Sequence, residues 1–135
     1  MLRQTASPED TERLGEDWGR VLEPGDVLFL TGDLGTGKTT LVRGIARGLG
    51  VSFGVKSPTF ALHLTYPGRV PVHHLDLYRI ESPEHTEGLG LDDLWDGTGV
   101  VVLEWGERLP YRPALPAVSV TLRDTGEATR EIAVA

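Results

Sequence analysis

The octapeptide Gly32-Asp33-Leu34-Gly35-Thr36-Gly37-Lys38-Thr39 fits the pattern G-x-x-x-x-G-K-[ST], which is typical of loops that bind phosphate groups. In such a loop, glycines allow backbone N–H groups to converge on an anion, and the N-terminus of the following helix adds partial positive charge. The lysine, here Lys38, then reaches the β- and γ-phosphates, and the final hydroxyl, here that of Thr39, binds Mg²⁺.

The residues on either side of the octapeptide supply the structural context that such a loop needs. Residues 26–31 are mostly apolar and β-prone, which predicts a short strand. After the octapeptide, apolar residues share one face of a predicted helix, namely Leu41, Val42, Ile45, Ala46 and Leu49. A glycine-rich turn before an ordinary helix is the alternative, but the order strand, loop, helix favours a phosphate site.

Length and composition predict one soluble, cytoplasmic domain over residues 1–135. The chain has 39% apolar residues, enough for one core, and no cysteine for a disulfide, a thiolate metal site or a nucleophile. No apolar run approaches the roughly 20 residues of a membrane span. The first residues also lack the apolar centre of a signal peptide, so we expect no membrane association.

The net charge is −7, from 20 acidic and 13 basic residues. A surface that binds nucleic acid unaided normally carries a basic stripe, and the sequence shows none. The negative charge therefore disfavours direct binding of this chain to RNA or DNA. It is compatible with a function in which a basic partner protein binds the nucleic acid.

Further elements follow from local patterns. Ser7 and Pro8 predict a helix start, Leu14, Trp18, Val21 and Leu22 form its apolar stripe, and Pro24-Gly25 ends it. Residues 60–66 and 70–76 predict a hairpin, and 81–95 contain a possible short helix. Residues 99–104 predict a buried central strand, and 117–123 and 129–134 the last two strands.

Two carboxylates end predicted strands. Glu104 ends the buried strand, where nucleotide-binding proteins commonly hold the metal-ordering acid, and this role is favoured over a solvent-facing acid. Asp76 ends another strand and could orient water or hold the metal through water; a turn-capping role is the alternative.

The remaining candidates are weaker when taken from the residues alone. Thr59 lies in Lys56-Ser57-Pro58-Thr59, where a loop that senses the γ-phosphate would lie, although a plain turn is equally consistent. Trp105 follows Glu104 and so would lie at the rim of the site, but core packing is the commoner role of tryptophan. The four histidines lack a zinc spacing and are interpreted as structural; His73 and His74 are expected on opposite faces of a strand.

Four blocks together resemble the TsaE family, the bacterial ATPases required for making threonylcarbamoyladenosine in tRNA. The blocks are Gly32-Asp-Leu-Gly-Thr-Gly-Lys-Thr-Thr40, Val55-Lys-Ser-Pro-Thr-Phe60, His74-Leu-Asp-Leu-Tyr-Arg79 and Leu103-Glu-Trp105. The resemblance implies an α/β fold: a P-loop nucleotide-hydrolase domain with a mixed parallel and antiparallel sheet and few helices. It also implies ATP and Mg²⁺ as cofactors, slow hydrolysis, and partnership with TsaD and TsaB, through which the chain would act on tRNA indirectly.

The resemblance assigns roles by position. The catalytic candidates are Lys38, Thr59, Asp76 and Glu104, and the metal candidates are Thr39 and Glu104. The nucleotide-binding candidates are Asp33, Leu34, Gly35, Thr36, Gly37, Lys38, Thr39, Thr40, Trp105 and Arg130, the last near the adenine by a loose match. The segment after Trp105 and the tail are short for the family, which leaves the base-binding edge open.

Three other functions compete with this interpretation. A small-molecule kinase usually adds an arginine-rich lid and an acceptor-binding insertion, for which the connections here are short. A GTP-dependent switch typically reads guanine through Asn-Lys-x-Asp, and the chain contains no asparagine. A nucleotide-binding scaffold without turnover stays open. An arginine that stabilises charge in the transition state accelerates nucleotide hydrolysis in many such proteins. The arginines of this chain are scattered, with none in the loop or beside the strand-end acids. We therefore expect slow hydrolysis unless a partner protein supplies such an arginine.

Overall fold

The structure is a computed structural model, and it describes residues 1–33, 36–51, 63–77, 91–106, 109 and 117–134, with the backbone alone for residues 91–93. The expected loop around Thr59, the helix start near residue 82, and Leu34 and Gly35 of the octapeptide lie outside the described residues.

The described residues form one mixed sheet of seven strands with helices on one face, which confirms the α/β fold class. The strands are β1 (Leu2–Thr5), β2 (Val27–Thr31), β3 (His63–Tyr66), β4 (Val72–Asp76), β5 (Val100–Glu104), β6 (Ala117–Asp124) and β7 (Arg130–Val134). The helices are α1 (Pro8–Val21) and α2 (Lys38–Gly48), and a short 3-10 segment spans Leu91–Asp96. Neither α-helix has the length and apolar composition needed to cross a membrane, among the residues described.

The strand order across the sheet is β1-β7-β6-β2-β5-β4-β3. The four middle strands, β6, β2, β5 and β4, run parallel, while β3, β7 and β1 pair antiparallel at the two sides. The carboxyl ends of the parallel strands therefore share one edge of the sheet, which is where ligands bind in open α/β sheets.

The first helix begins as the sequence predicts. The Ser7 hydroxyl accepts a hydrogen bond from the Asp10 N–H at 3.1 Å, and Pro8 takes the first helical position. The predicted apolar stripe is wrong only at Val21, which is 75% exposed, whereas Leu14, Trp18 and Leu22 are partly buried against the core. The fully packed positions of this helix are instead Thr11, Gly15 and Gly19.

Glycines bring the two helices into backbone contact. A Cβ at Gly15 or Gly19 of α1 would collide with the backbone of α2, and one at Gly44 or Gly48 of α2 would collide with the backbone of α1. This close approach holds α1 against α2 and so fixes α2, which carries the end of the phosphate-binding pattern.

The core lies on both faces of the sheet. On the helix face, the predicted apolar stripe of α2 is fully buried, which confirms the sequence prediction for Leu41, Val42, Ile45, Ala46 and Leu49. On the opposite face, Leu75, Leu77, Val101 and Leu103 pack with Leu94. All five residues of β5 are buried, because both faces of this strand are covered, and this explains its continuous apolar run. The strand is paired on both sides, which confirms the prediction of a central strand.

The strand predictions differ from the structure mainly at their ends. The hairpin of β3 and β4 is present, but β4 begins at Val72 rather than residue 70, and residues 60–62 lie outside the described chain. The first strand, β1, is missing from the sequence prediction. It has four residues and three of them are exposed, so it carries almost no apolar pattern.

Candidate functional site

A cleft of about 330 Å³ opens at the carboxyl edge of the parallel strands. Side chains from α1, α2, β4, β5 and β7 meet there, so residues far apart in sequence share one site. The lining residues are Pro8, Thr11, Gly37, Lys38, Thr39, Thr40, Asp76, Glu104, Trp105, Ala128 and Arg130.

Lys38 is the buried cation of this cleft. It is 6% exposed and begins α2 directly after Gly37, whose φ of +97° is a conformation that favours glycine. Its Nζ donates a hydrogen bond to the Gly32 carbonyl oxygen at 2.6 Å and lies 4.5 Å from the centre of the Trp105 ring. No carboxylate of the described chain lies within ion-pair distance of this ammonium, so the site favours an incoming anion.

A hydrogen bond from the Thr36 side chain stabilises the described part of the loop. Thr36 is 4% exposed, and its hydroxyl donates to the Asp33 carbonyl oxygen at 2.7 Å. Asp33 itself is exposed. Thr39 and Thr40 follow Lys38 in the first turn of α2 and line the cleft, where the helix N-terminus adds its positive dipole end.

Trp105 reaches Lys38 because the chain turns sharply at the end of β5. Its φ of +61° is a left-handed conformation, which is costly for a residue with a Cβ. Trp105 packs partly against the core on the face opposite the helices, so the two predicted roles, core packing and site rim, are combined.

Asp76 and Glu104 lie opposite each other at the ends of two neighbouring parallel strands. The Leu77 N–H donates to the Glu104 carbonyl oxygen at 3.0 Å, which continues the pairing past Asp76. Glu104 is 3% exposed, which rejects the solvent-facing alternative, and Asp76 is half-buried. The structure therefore brings both predicted acids to the same cleft as Lys38.

His74 is a residue of the site that the sequence interpretation left as merely structural. It is fully buried, and its Nε2 lies 2.6 Å from Oε2 of Glu104. The sequence contained a signal for this role of His74. His74 and Asp76 are two residues apart on one predicted strand, so both side chains lie on the same face of the sheet. His73 faces the other side, as predicted, where it contacts His63.

Arg130 reaches the phosphate-binding pattern from β7. Its Nε donates to the Thr36 carbonyl oxygen at 3.0 Å, across 94 positions of sequence. Its Nη1 also donates to the Thr129 carbonyl oxygen at 2.8 Å and to Asp124 at 3.2 Å. The sequence places no arginine within the loop, and the fold brings Arg130 to it from the last strand. A role beside adenine stays a prediction.

The donor set of the cleft fits Mg²⁺ bound together with a nucleotide. Thr39 supplies a hydroxyl, and Glu104 and Asp76 supply carboxylates, all of them oxygen ligands that Mg²⁺ prefers. In the described chain no three His, Asp or Glu side chains converge on a point that could hold a metal. Because Mg²⁺ is usually held by one or two carboxylates plus phosphates, this set still fits.

A family model describes almost the whole chain. Residues 5–132 match the model of the threonylcarbamoyl adenosine biosynthesis protein TsaE. The chain belongs to the TsaE family. This confirms the resemblance based on the four blocks.

Individual members of the TsaE family are similar over nearly the same length. The tRNA threonylcarbamoyladenosine biosynthesis protein TsaE of Treponema pallidum (strain Nichols) is 43% identical over 129 residues, which cover 96% of each chain. The protein of that name from Bacillus subtilis (strain 168) is 38% identical, over 96% of this chain and 81% of the relative. The crystal structure of Bacillus subtilis YdiB superposes with a TM-score of 0.78 at 35% identity, covering 98% of this chain and 82% of YdiB.

Proposed function

We propose that the chain binds ATP with Mg²⁺ in this cleft, hydrolyses it slowly, and serves threonylcarbamoyladenosine formation in tRNA together with TsaD and TsaB. The observation that carries the nucleotide part is the buried Lys38 ammonium at the start of α2, with two carboxylates in the same cleft. The membership in the TsaE family supports the pathway.

The cleft separates its charges in the way that a magnesium nucleotide requires. Lys38 and the N-terminus of α2 attract phosphate oxygens, and Arg130 adds a second cation beside Thr36. Glu104 and the Thr39 hydroxyl are the ligands for Mg²⁺, which neutralises phosphate charge when it is bound. Asp76 orients the attacking water, and the Trp105 ring covers the Lys38 ammonium.

Hydrolysis by the chain alone is expected to be slow. An arginine that stabilises charge in the transition state contributes about a thousandfold or more in such enzymes. Arg130 is already engaged with Thr36, Asp124 and Thr129, so it holds the loop rather than acting as a mobile finger. We therefore assign the missing stabilisation to the partner proteins.

Access to tRNA is assigned to the partners as well. A net charge of −7 disfavours contact with a polyanion, because binding to nucleic acid depends on lysine and arginine neutralising phosphates. The role of Thr59 as part of a loop that senses the γ-phosphate remains a proposal from the family resemblance. Such a loop would make docking on TsaB and TsaD depend on the bound nucleotide.

Calorimetry on a matched pair of variants tests nucleotide binding. Lys38→Ala should lower the affinity for ATP by at least tenfold, because it removes a buried charge from the phosphate site. Arg43→Ala removes the same charge from an exposed position of α2 and should bind ATP like the wild type. Equal ATP affinity in Lys38→Ala and the wild type would refute the assignment of this cleft.

Reconstitution tests the pathway. The purified chain is mixed with TsaB, TsaD and tRNA, and association, ATP hydrolysis and threonylcarbamoyladenosine are measured. We expect association that depends on ATP and formation of the modified nucleoside. Fast hydrolysis by the chain alone, a phosphorylated small molecule as product and no association would favour the kinase alternative.

A further inference from the structure

We propose that His74 is a positioning residue, which holds one carboxylate oxygen of Glu104 so that Glu104 presents the other oxygen to the metal of the bound nucleotide. This inference rests on the proposed function, and it adds a residue whose role the function so far leaves out.

The geometry of the pair is that of a strong hydrogen bond. His74 Nε2 and Glu104 Oε2 are 2.6 Å apart, and the two side chains are 0% and 4% exposed. An ionised carboxylate only accepts hydrogen bonds, so an imidazole that holds such a carboxylate carries its proton on Nε2 and donates it to Glu104. The other ring nitrogen, Nδ1, has no hydrogen-bond partner within the described residues, so the Glu104 contact orients the ring.

The sheet places this pair directly beneath the cleft. Asp76 lies opposite Glu104, and His74 lies two residues earlier on the same face of β4, diagonal to Glu104. Below His74, the same face continues with the buried Val72 and Val102. On this face of β4 and β5, the polar side chains therefore lie only at the carboxyl ends of the two strands, where the cleft begins.

Stability alone does not explain such a pair. Removing the charge of a carboxylate from water costs several kcal/mol, and one hydrogen bond from a neutral imidazole offsets only part of that cost. A fixed carboxylate explains the pair better, since groups that orient metal ligands contribute about 10- to 100-fold in metal affinity. Glu104 also lines the cleft, so it can serve His74 and the metal at once.

The test measures metal binding directly. Each variant is saturated with a non-hydrolysable ATP analogue, and Mn²⁺ is titrated in place of Mg²⁺ while free Mn²⁺ is followed by electron paramagnetic resonance. Affinity for the analogue in EDTA is measured separately by calorimetry. His74→Leu keeps an apolar volume but loses the donor, and we expect about 10- to 100-fold weaker Mn²⁺ binding with unchanged analogue affinity in EDTA.

Two amide variants separate positioning from packing. The glutamine amide of His74→Gln reaches about the position of Nε2, so Mn²⁺ affinity should stay within about threefold of the wild type if a donor at that position is sufficient. His74→Asn is one methylene shorter, so it should lose metal affinity like His74→Leu. If His74→Leu does not fold, the difference in Mn²⁺ affinity between His74→Gln and His74→Asn still tests the role of His74. In a Glu104→Gln background, His74→Leu should cause no further loss, because the residue acts through Glu104.

The contrary outcomes are distinct. Wild-type Mn²⁺ affinity in folded His74→Leu or His74→Asn would overturn the role of His74 and leave the proposed function intact. An equal loss with and without Glu104→Gln would also overturn it, since His74 would then act elsewhere. If the wild-type chain bound neither the analogue nor Mn²⁺, the proposed function itself would fail.

Discussion

Asp76 and Glu104 occupy different environments although they are register partners at the ends of β4 and β5. Glu104 is almost fully buried and bonded to His74, whereas Asp76 is half-buried at the opening of the cleft. Under the proposed function, the buried acid is the one held in place for a metal, while the more exposed one is placed nearer to water. This difference supports separate roles for the two carboxylates.

Replacing Asp76 with asparagine tests that division. Asp76→Asn keeps the shape and loses the charge, so nucleotide affinity should change little while hydrolysis falls by about 100-fold, as expected for loss of a group that orients or accepts a proton from water. Binding is measured by calorimetry and turnover by phosphate release. A wild-type hydrolysis rate in this variant would remove Asp76 from the catalytic residues.

A second polar cluster lies on the sheet face opposite the helices. His63 Nε2 and His73 Nδ1 are 3.2 Å apart, and the Thr65 hydroxyl lies 3.1 Å from both. Burial, followed by the neighbouring His73 and His74, lowers the pKa of His63. Burial also lowers the pKa of His73, although Asp96 opposes that shift.

These shifts predict how stability depends on pH. Because both pKa values are lower in the folded state, the unfolded chain takes up protons first as the pH falls below about 6.5, and stability decreases. The urea midpoint should therefore be lower at pH 5.5 than at pH 7.5. The double variant His63→Gln/His73→Gln should show a smaller difference, and an unchanged difference would assign the effect to other groups.

Residues of the site differ in how far the sequence reveals them. Lys38 and Thr39 are predicted by a pattern of fixed spacing, and Glu104 by the end of a continuous apolar run. Arg130 was carried over only by a loose match, because its contact with Thr36 depends on how β7 joins the sheet through β6. No local pattern contains that information.

At the level of whole elements, the contact between α1 and α2 leaves no room for added volume. A Cβ on Gly44 would collide with the carbonyl oxygen of Glu12, and backbone cannot move aside as a flexible side chain can. The usual benefit of alanine over glycine within a helix, about 1 kcal/mol, should therefore be reversed here.

Gly44→Ala is expected to destabilise the chain by about 1–3 kcal/mol, as overpacked cores do. Arg13→Ala is the matched control, since it introduces alanine at an exposed position of α1 and should change stability by no more than about 0.5 kcal/mol. Urea denaturation of both variants gives the comparison. A stabilised Gly44→Ala would show that the helices can separate without cost.

Elements with a strong periodic pattern were predicted well, and the short edge strand β1 was not. The α2 stripe and the β5 run each bury a continuous set of apolar residues, which periodicity reports directly. In contrast, β1 is held by pairing with β7 rather than by its own buried side chains. The register of that pairing depends on residues more than a hundred positions away.

At the scale of the whole molecule, the cleft joins α1, α2, β4, β5 and β7, so nucleotide binding should stabilise the entire fold. A ligand at a concentration of 100 times its dissociation constant stabilises the folded state by about 2.7 kcal/mol. Magnesium ATP should therefore raise the melting temperature of the wild type and of Arg43→Ala equally, and that of Lys38→Ala by clearly less. An equal increase in Lys38→Ala would place the nucleotide elsewhere.

The strand order has a consequence for how the chain folds as it is synthesised. The central strand β2 is flanked by β5 and β6, and Leu2 of β1 is paired with Ala133 of β7. When the first half leaves the ribosome, α1 can already dock on α2, but β2 has neither neighbour. Pairings this distant in sequence close slowly, because the chain entropy of the long loop is lost before the contacts form. An apolar strand therefore stays open to wrong partners until the last quarter of the chain emerges, and the sheet forms late in folding.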